Sequence, residues 1–388
     1  NAYWEDGNGR NLLHWADIVP DQKKFNEFSH LYFQKDDLGD AAVQDTYQQL
    51  PYHEASALID NYCHTPITSQ DQAPQSVKDL FEQMQQVPEW FQPELANAGA
   101  RLCMRSGTNA LIILRDYTLM GGYDYSYLNK PLVFTGALKK GAVKRLKDTL
   151  EFWVHVTREN GLTVHSDAYR LIVRTRLMHS YARLSIKKKS ENWNYELWGE
   201  PINSWDMIAT YTGFSLVFMH GLKKLGMEIK PEEEAGLYHL WKYVGYLLGI
   251  PAEYLPENTP QAVEQLYLWS ATQAPGDGDS ANLAQALLQE NLENTIYPYA
   301  LQRRLLLKMH ESVSWFLLDR EVNERLNISK PGRAKFFPKL IIRANKISKN
   351  IFDPQHPEKL QKIVKAGNKI QMKVLQDYIT HTPKDFHY

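Results

Sequence analysis

Apolar residues recur at three- and four-residue spacing along most of the chain, and alternating patterns typical of β-strands are scarce. Helix start and stop signals divide this pattern into segments. In the segment 230–249, Pro231 is the first helical residue, three acidic residues follow it, and a glycine ends the segment. The segment 166–186 begins with Ser166 or Asp167 as its N-cap residue. The pattern predicts an all-α protein.

The other predicted helices have similar boundaries and apolar stripes. The segment 94–120 is either one long helix or a pair kinked at Ser106–Gly107. The remaining segments are 76–87, 142–160, 203–226 and 259–273, and two more helices follow the loop "APGDGDS". We expect a single helical-bundle domain that is globin-like in general character. It comprises an irregular N-terminal arm (1–75), a helical core (76–330) and basic amphipathic C-terminal helices (331–388).

The C-terminal segment 334–352 is amphipathic. Its apolar face contains Phe337, Leu340, Ile341, Ala344, Ile347 and Ile351. Its basic residues lie largely on the other face: Lys335, Lys339, Arg343, Lys346 and Lys349. A basic amphipathic helix can lie on an anionic membrane surface, so peripheral membrane contact through 334–352 is one prediction. We favour the alternative, in which the apolar face packs on the core and the basic face is solvated.

Composition excludes several classes of protein. The chain has 388 residues and a net charge of −1, so we expect no nucleic-acid partner. Two cysteines, Cys63 and Cys103, cannot build a disulfide framework or a zinc ribbon. No apolar run of about 18 residues and no signal peptide is visible. We therefore expect a soluble chain, in the cytoplasm or peripherally associated with a membrane. Secretion stays open if a leader preceded Asn1.

Two short motifs are compatible with metal chemistry. The string "DDLGD" (36–40) matches the aspartate motif that binds magnesium-diphosphate in helical isoprenoid synthases, but its glycine and its loop-like flanks favour a solvated turn. A carboxylate-bridged di-iron bundle needs two Glu-x-x-His units, and the chain has only Glu27 to His30. Neither motif predicts a metal site here.

The segment "RLIVRTRLMHSYARL" (170–184) places His179 on a mostly apolar helical stripe. A neutral imidazole in such surroundings is a candidate proximal ligand for a haem iron. Arg174, Arg176 and Arg183 are candidate partners for the haem propionates, because guanidinium groups bind carboxylates in a bidentate manner. Taken alone, this pattern favours a hydrogen-bonded core histidine over a ligand.

The preceding helix presents a second constellation. Arg145 and Thr149 lie one turn apart, and Phe152 and Val156 share their face. One arginine and one hydroxyl on an otherwise apolar face are typical of a pocket. The alternative is a solvated arginine beside the neighbouring lysines.

Three stretches, in this order and at this spacing, resemble the family of latex-clearing proteins (rubber oxygenases) and ER-bound mycophenolate-pathway oxygenases. They are "KRLKDTLEFWV", "DAYRLIVRTRLMHSYAR" and "WGEPINSWDMIATYTGFSLVFMHGLKKLG". The likeness is clearest over 120–255. It implies an all-α bundle that holds haem b, with His179 as the proximal iron ligand and Arg145 and Thr149 in the distal pocket.

The sequence also departs from the rubber-cleaving members. Those members have a lysine immediately before the distal threonine, where this chain has Asp148, with Lys147 one position earlier. Their acid–base glutamate has no clear counterpart in "YSYLNKPL". Rubber is therefore not implied as the substrate.

The resemblance predicts a haem-b-dependent oxygenase that uses dioxygen to cleave or oxidise a hydrophobic, isoprenoid or lipid-like substrate. Arg145 and Thr149 are the predicted catalytic residues, with Phe152 and Val156 lining the cofactor pocket. One alternative is a haem-binding sensor or carrier on the same fold. The other is a haem-free, lipid-binding helical module docked on a membrane through 334–352.

Overall fold

The computed structural model describes residues 2–136, 141–351 and 356–382. Over these ranges the regular secondary structure is helical, with no β-strand beyond an isolated bridge between Tyr125 and Pro275. The predicted all-α fold is confirmed. No helix in the described ranges is both long enough and apolar enough to cross a membrane. Positions 352–355 and 383–388 of the predicted C-terminal helices lie outside the described residues.

The N-terminal segment consists of short helices rather than an irregular arm. They are α1 (Ala2–Glu5), α2 (Asn8–Ala16), α3 (Phe25–Phe28), α4 (Asp37–Asp45) and α5 (Tyr52–His64). The prediction of an irregular arm is wrong because four of these five helices have only four to nine residues, which is too few turns to show a clear apolar period. Buried side chains of α2, α4 and α5, among them Leu12, Val43 and Ile59, fix the segment to the core.

The string "DDLGD" forms the start of α4. The Asp36 side chain accepts a hydrogen bond from the Gly39 backbone N–H at 3.1 Å, which makes Asp36 the N-cap residue. Asp40 is buried. The prediction of a solvated turn is therefore wrong, because both carboxylates face the protein rather than water.

The central part of the chain contains most of the predicted helices. They are α6 (Gln75–Gln85), α7 (Pro93–Arg105), α8 (Gly107–Ile113), α9 (Met120–Gly122), α10 (Lys130–Phe134), α11 (Ala142–Val156), α12 (Asp167–Lys189), α13 (Tyr195–Trp198), α14 (Ser204–Thr212), α15 (Phe218–Lys224), α16 (Pro231–Leu247), α17 (Thr259–Ser270) and α18 (Gly278–Glu293). π-Helical turns join α8 to α9 (Leu114–Leu119) and α14 to α15 (Gly213–Val217). Ser166 caps α12 by accepting from the Tyr169 N–H at 3.0 Å, as predicted.

Two glycines allow α7 and α16 to pack at very short range. A Cβ atom on Gly99 would lie 2.5 Å from the backbone carbonyl carbon of Gly236, well inside van der Waals contact. Of the two readings of 94–120, the kinked pair is confirmed, because α7 and α8 are separated at Ser106. Gly107 has a φ of +50°, a conformation that glycine adopts without steric cost.

The C-terminal helices are α19 (Ala300–Leu317), α20 (Arg320–Arg325), α21 (Phe337–Ile351) and α22 (Pro357–His381). Helix α22 packs against α7, α8 and α11. Its buried Gln371 donates to the carbonyl oxygens of Cys103 and Gly107, at 2.9 and 3.0 Å. These carbonyls lie on the two sides of the break between α7 and α8, so Gln371 fixes α22 to this break.

Candidate functional site

Helix α11 presents Arg145 and Thr149 to a cleft of about 380 Å³. The guanidinium carbon of Arg145 lies 5.9 Å from the centre of the Tyr123 ring. The rest of the wall is apolar and comes from the π-helical turn, from α11 itself and from α18: Leu119, Ala142, Leu146, Leu283, Ala286 and Leu287. Arg145 and Thr149 thus border a cleft that has a few polar groups in an aliphatic wall.

Two other residues of the predicted stripe lie elsewhere. Val156 is fully buried in the hydrophobic core. Phe152 is half-buried and packs at the edge of the same core. Neither is among the residues that line the Arg145 cleft. Arg145 and Thr149 therefore face the cleft, whereas Phe152 and Val156 stabilise the packing of α11 on the core.

Helix α12 places His179 in a second cleft, of about 260 Å³. Its Nδ1 atom is enclosed and has no hydrogen-bond partner among the residues that the structure describes. Burial lowers the pKa of His179 to about 4, helped by Arg183 and opposed by Asp36. The imidazole is therefore neutral at physiological pH, which is the state that a metal-ligating histidine requires. The other lining residues are Asp36, Arg183, Ile202, Ser204, Met207, Leu248, Gly249 and Ile250.

The stretch "WGEPINS" supplies part of this second cleft. Ile202 has a φ of +55°, an unusual conformation for a β-branched residue. Arg183 holds this turn by donating to the carbonyl oxygens of Pro201 and Ile202, at 3.0 and 2.9 Å. A strained backbone conformation persists only where surrounding contacts hold it in place, and strained residues are concentrated at functional sites. The turn and His179 therefore form one local unit.

The arginines around His179 are bound to carboxylates of the N-terminal segment. Arg176 donates to both carboxylate oxygens of Asp36 and, through Nη1, to Gln83. Arg183 forms a buried ion pair with Asp40. Burial alone would raise the pKa of Asp36, but the charge and hydrogen bonds of Arg176 hold that pKa below its ordinary value.

Arg174 differs from the other two arginines. It lies at the surface, where its Nη2 atom pairs with Asp60 at 2.9 Å. An exposed pair of this kind stabilises a protein by about 0–1 kcal/mol. All three arginines thus have carboxylate partners within the chain, and only the partner of Arg174 is exposed to solvent.

The two clefts are separate in this structure. Helices α11 and α12 pack against each other, as the short connection between them predicts. The residues that line the Arg145 cleft and those that line the His179 cleft do not overlap. The structure therefore supports a pocket at each predicted position without joining them into one cavity.

Sequence reasoning missed Tyr123, Asp36 and Asp40. Tyr123 is buried and lines the Arg145 cleft. It follows the π-helical turn Leu114–Leu119, where the extra residue per turn changes the face that later residues occupy. Helical spacing alone could not place it. Asp36 and Asp40 are visible in the sequence as acidic residues one turn apart, but nothing in the sequence relates them to Arg176 and Arg183 on α12.

The comparisons with known proteins agree with the fold and with the family resemblance. Residues 112–344 match the family described as "ER-bound oxygenase mpaB/B'/Rubber oxygenase, catalytic domain". A rubber oxygenase from Streptomyces sp. (strain K30) is 22% identical over 207 residues, which make up 51% of this chain and 50% of that protein. The match thus spans about half the length of the curated relative.

A solved structure has the same fold. The structure of latex clearing protein LCP in the closed state superposes with a TM-score of 0.67, covering 88% of this chain and 91% of that one. The sequence identity over this alignment is 16%, so the likeness concerns the fold.

Proposed function

The chain belongs to the family of the ER-bound oxygenase mpaB/B′ and rubber oxygenase catalytic domains, and on this premise we propose that it is a haem-b-dependent oxygenase. It uses dioxygen to oxidise or cleave a hydrophobic substrate of isoprenoid or lipid-like character. The proposal assigns His179 as the ligand of the haem iron and Arg145 and Thr149 as the catalytic residues.

The observation that carries this proposal is the state of His179. A histidine that served only the core would form a hydrogen bond with its buried nitrogen, whereas Nδ1 of His179 has no partner in the described part of the chain. Its low pKa keeps the ring neutral and able to coordinate a metal. The side chains of Ile202, Met207 and Ile250 give the same cleft a partly apolar lining, which is the kind of surface that a haem ring contacts.

A bound haem supplies the redox chemistry that activates dioxygen, and the protein contributes orientation and electrostatics. The guanidinium of Arg145 and the hydroxyl of Thr149 are hydrogen-bond donors fixed on one turn of α11. They would bind and orient an oxygen atom on which negative charge develops during the reaction. The aliphatic wall formed by Leu119, Leu283 and Leu287 excludes water and accommodates an apolar substrate.

Propionate binding by Arg174, Arg176 or Arg183 stays a prediction. Arg176 and Arg183 would have to exchange a buried carboxylate partner for a propionate, which is costly because it leaves Asp36 or Asp40 without its cation. Arg174 has a solvent-exposed partner, and its exchange costs less. Phe152 and Val156 act through the packing of α11.

Oxygen uptake by the haem-loaded protein tests the proposed activity. The protein is incubated with dispersed isoprenoid hydrocarbon or with unsaturated lipid, and dioxygen consumption and carbonyl products are measured. We expect uptake that depends on one of these substrates and yields a carbonyl product. Stable haem binding without substrate-dependent uptake would contradict the oxygenase and favour a haem sensor or carrier.

A further inference from the structure

Helix α21 has an apolar stripe that faces solvent. Phe336, immediately before the helix, and Leu340 and Ile347 within it are 48%, 53% and 50% exposed. Their spacing of four and seven residues places them along one side of the helix. The favoured prediction that this apolar face packs on the core holds for Ile341 and is wrong for Leu340 and Ile347.

The opposite side of α21 is attached to the protein. Asn345 donates to the carbonyl oxygen of Leu225 at 2.8 Å and exchanges hydrogen bonds with Asn109. Ile341 packs against the core. These contacts fix which side of the helix faces outward, so the exposure of the apolar stripe follows from the docking of α21.

Cations surround this stripe. The segment 332–351 contains six basic residues and no acidic residue. The exposed basic side chains that form no ion pair within the part of the chain that the structure describes include Lys335, Lys339, Arg343 and Lys346. Because the whole chain has a net charge of −1, this positive charge is local to α21. We call the stripe and its four cations the basic-apolar face.

The neighbouring helix α19 has a similar exposed side. Leu301 and Leu305 are 80% and 57% exposed, and Arg304 and Lys308 are exposed on the same helix. Helix α19 packs against α21. Aliphatic residues flanked by cations thus recur on two adjacent helices at the surface.

We propose that the basic-apolar face docks on a bilayer that contains anionic phospholipid. Phe336, Leu340 and Ile347 enter the boundary between headgroups and acyl chains, and the cations bind lipid phosphates. The local positive charge favours an anionic bilayer over the other possible partners of this face. If two copies of this face met, their like charges would repel each other. A neutral apolar groove on a partner protein would leave the cations without counter-charges. The stripe has a single aromatic residue, Phe336, whereas single-stranded nucleic acid requires several aromatic side chains on which its bases stack.

This docking is independent of the haem chemistry and adds to it. A hydrophobic substrate partitions into the membrane, so docking brings the chain to the phase in which that substrate is concentrated. The proposal requires no change in the fold, because the face is exposed in the isolated chain.

Vesicle co-sedimentation tests the docking. The full chain is mixed with extruded phosphatidylcholine vesicles, with or without about 30% phosphatidylserine, at physiological salt. We expect binding to the anionic vesicles and little to the neutral ones. Leu340→Ser/Ile347→Ser should weaken binding about 10-fold per residue, from the lost burial of apolar surface. Lys339→Gln/Arg343→Gln should weaken it roughly 25-fold, from about 1 kcal/mol per basic residue.

Matched variants at other surfaces serve as controls. Val19→Ser removes an apolar side chain that is 92% exposed but lies between Asp17 and Asp21. Lys188→Gln/Lys189→Gln removes two exposed cations from the end of α12. Both should bind anionic vesicles like the parent chain, and circular dichroism should show unchanged folding for all variants.

Three outcomes would overturn the proposal. The first is no binding to anionic vesicles, and the second is equal binding by the α21 variants and their controls. The third is a dimer in multi-angle light scattering that Leu340→Ser/Ile347→Ser dissociates, because the occupant would then be a second copy of the chain.

Discussion

Arg176 binds Asp36 through two parallel hydrogen bonds, from Nε to Oδ2 at 2.7 Å and from Nη2 to Oδ1 at 2.8 Å. The two residues are 140 positions apart in the chain, and both side chains are buried. Asp36 caps α4, and Arg176 lies one turn before His179 on α12. The pair therefore connects the N-terminal helices to the helix that carries the candidate iron ligand.

Breaking this pair should strongly destabilise the protein. Asp36→Asn leaves the Arg176 guanidinium buried without its counter-charge, and such losses cost about 3–5 kcal/mol. Asp60→Asn removes the partner of the exposed Arg174 and should cost less than about 1 kcal/mol. Urea unfolding at pH 7 measures both values. Equal losses of unfolding free energy for the two variants would contradict the prediction that the buried pair stabilises the protein more than the exposed pair does.

The contact between α7 and α16 should tolerate no side chain. Gly99→Ala places a methyl group 2.5 Å from the Gly236 backbone, so the helices must separate, at a cost of about 3 kcal/mol or more. Gly122→Ala is the control, because a Cβ there meets nothing within 4 Å. Thermal unfolding of both variants distinguishes a packing effect from a general effect of replacing glycine in a helix. An unchanged melting temperature for Gly99→Ala would contradict the close packing.

Stability should fall as the pH is lowered, in part because of His220. Its Nδ1 atom lies 2.7 Å from the Tyr117 hydroxyl, and burial together with Lys224 and Lys223 lowers its pKa to about 3. An unfolded histidine titrates near pH 6.5, so between these values the unfolded chain binds more protons. The stabilisation that the folded state gains by keeping His220 neutral is complete above about pH 6.5 and is lost progressively below it.

The His220→Gln variant measures this contribution. Between pH 7 and pH 4.5 the parent chain should lose about 2 kcal/mol more unfolding free energy than the variant. Urea unfolding at several pH values gives the two slopes. If the unfolding free energies of the two proteins changed equally with pH, the pKa of His220 would not be lowered in the folded state.

The sequence predicted the parts of this protein that depend on local signals. Ser166 and Pro231 mark helix starts that the structure contains, and Arg145 and Thr149 border one cleft, whereas Phe152 and Val156 of the same predicted stripe do not. The ion pair between Asp36 and Arg176 was not predictable, because a single sequence shows no relation between residues 140 positions apart. The exposure of Leu340 was missed for a related reason, since an amphipathic pattern does not say which side of a helix the rest of the protein covers.

Arg145 should affect turnover rather than cofactor binding. Arg145→Ala removes the cation from the α11 cleft and leaves His179 unchanged, so the haem-loaded variant should retain its absorption spectrum. Loss of one preorganised donor lowers a rate by about 100- to 1,000-fold. Lys147→Ala is the control, because Lys147 pairs with Asp148 and Glu151 on the same helix. Undiminished dioxygen consumption in Arg145→Ala would remove this residue from the mechanism.

The central claim, that His179 binds the iron of a haem, is tested most directly by titrating the purified protein with haem b and following the Soret band. We expect a shifted Soret band for the parent chain and for His155→Ala, which removes a half-buried histidine from α11. His179→Ala should bind haem at least about 100-fold more weakly, because the partners of a ligand alone change metal affinity by about 10- to 100-fold. No Soret shift in the parent chain, or equal haem affinity in His179→Ala, would contradict the claim.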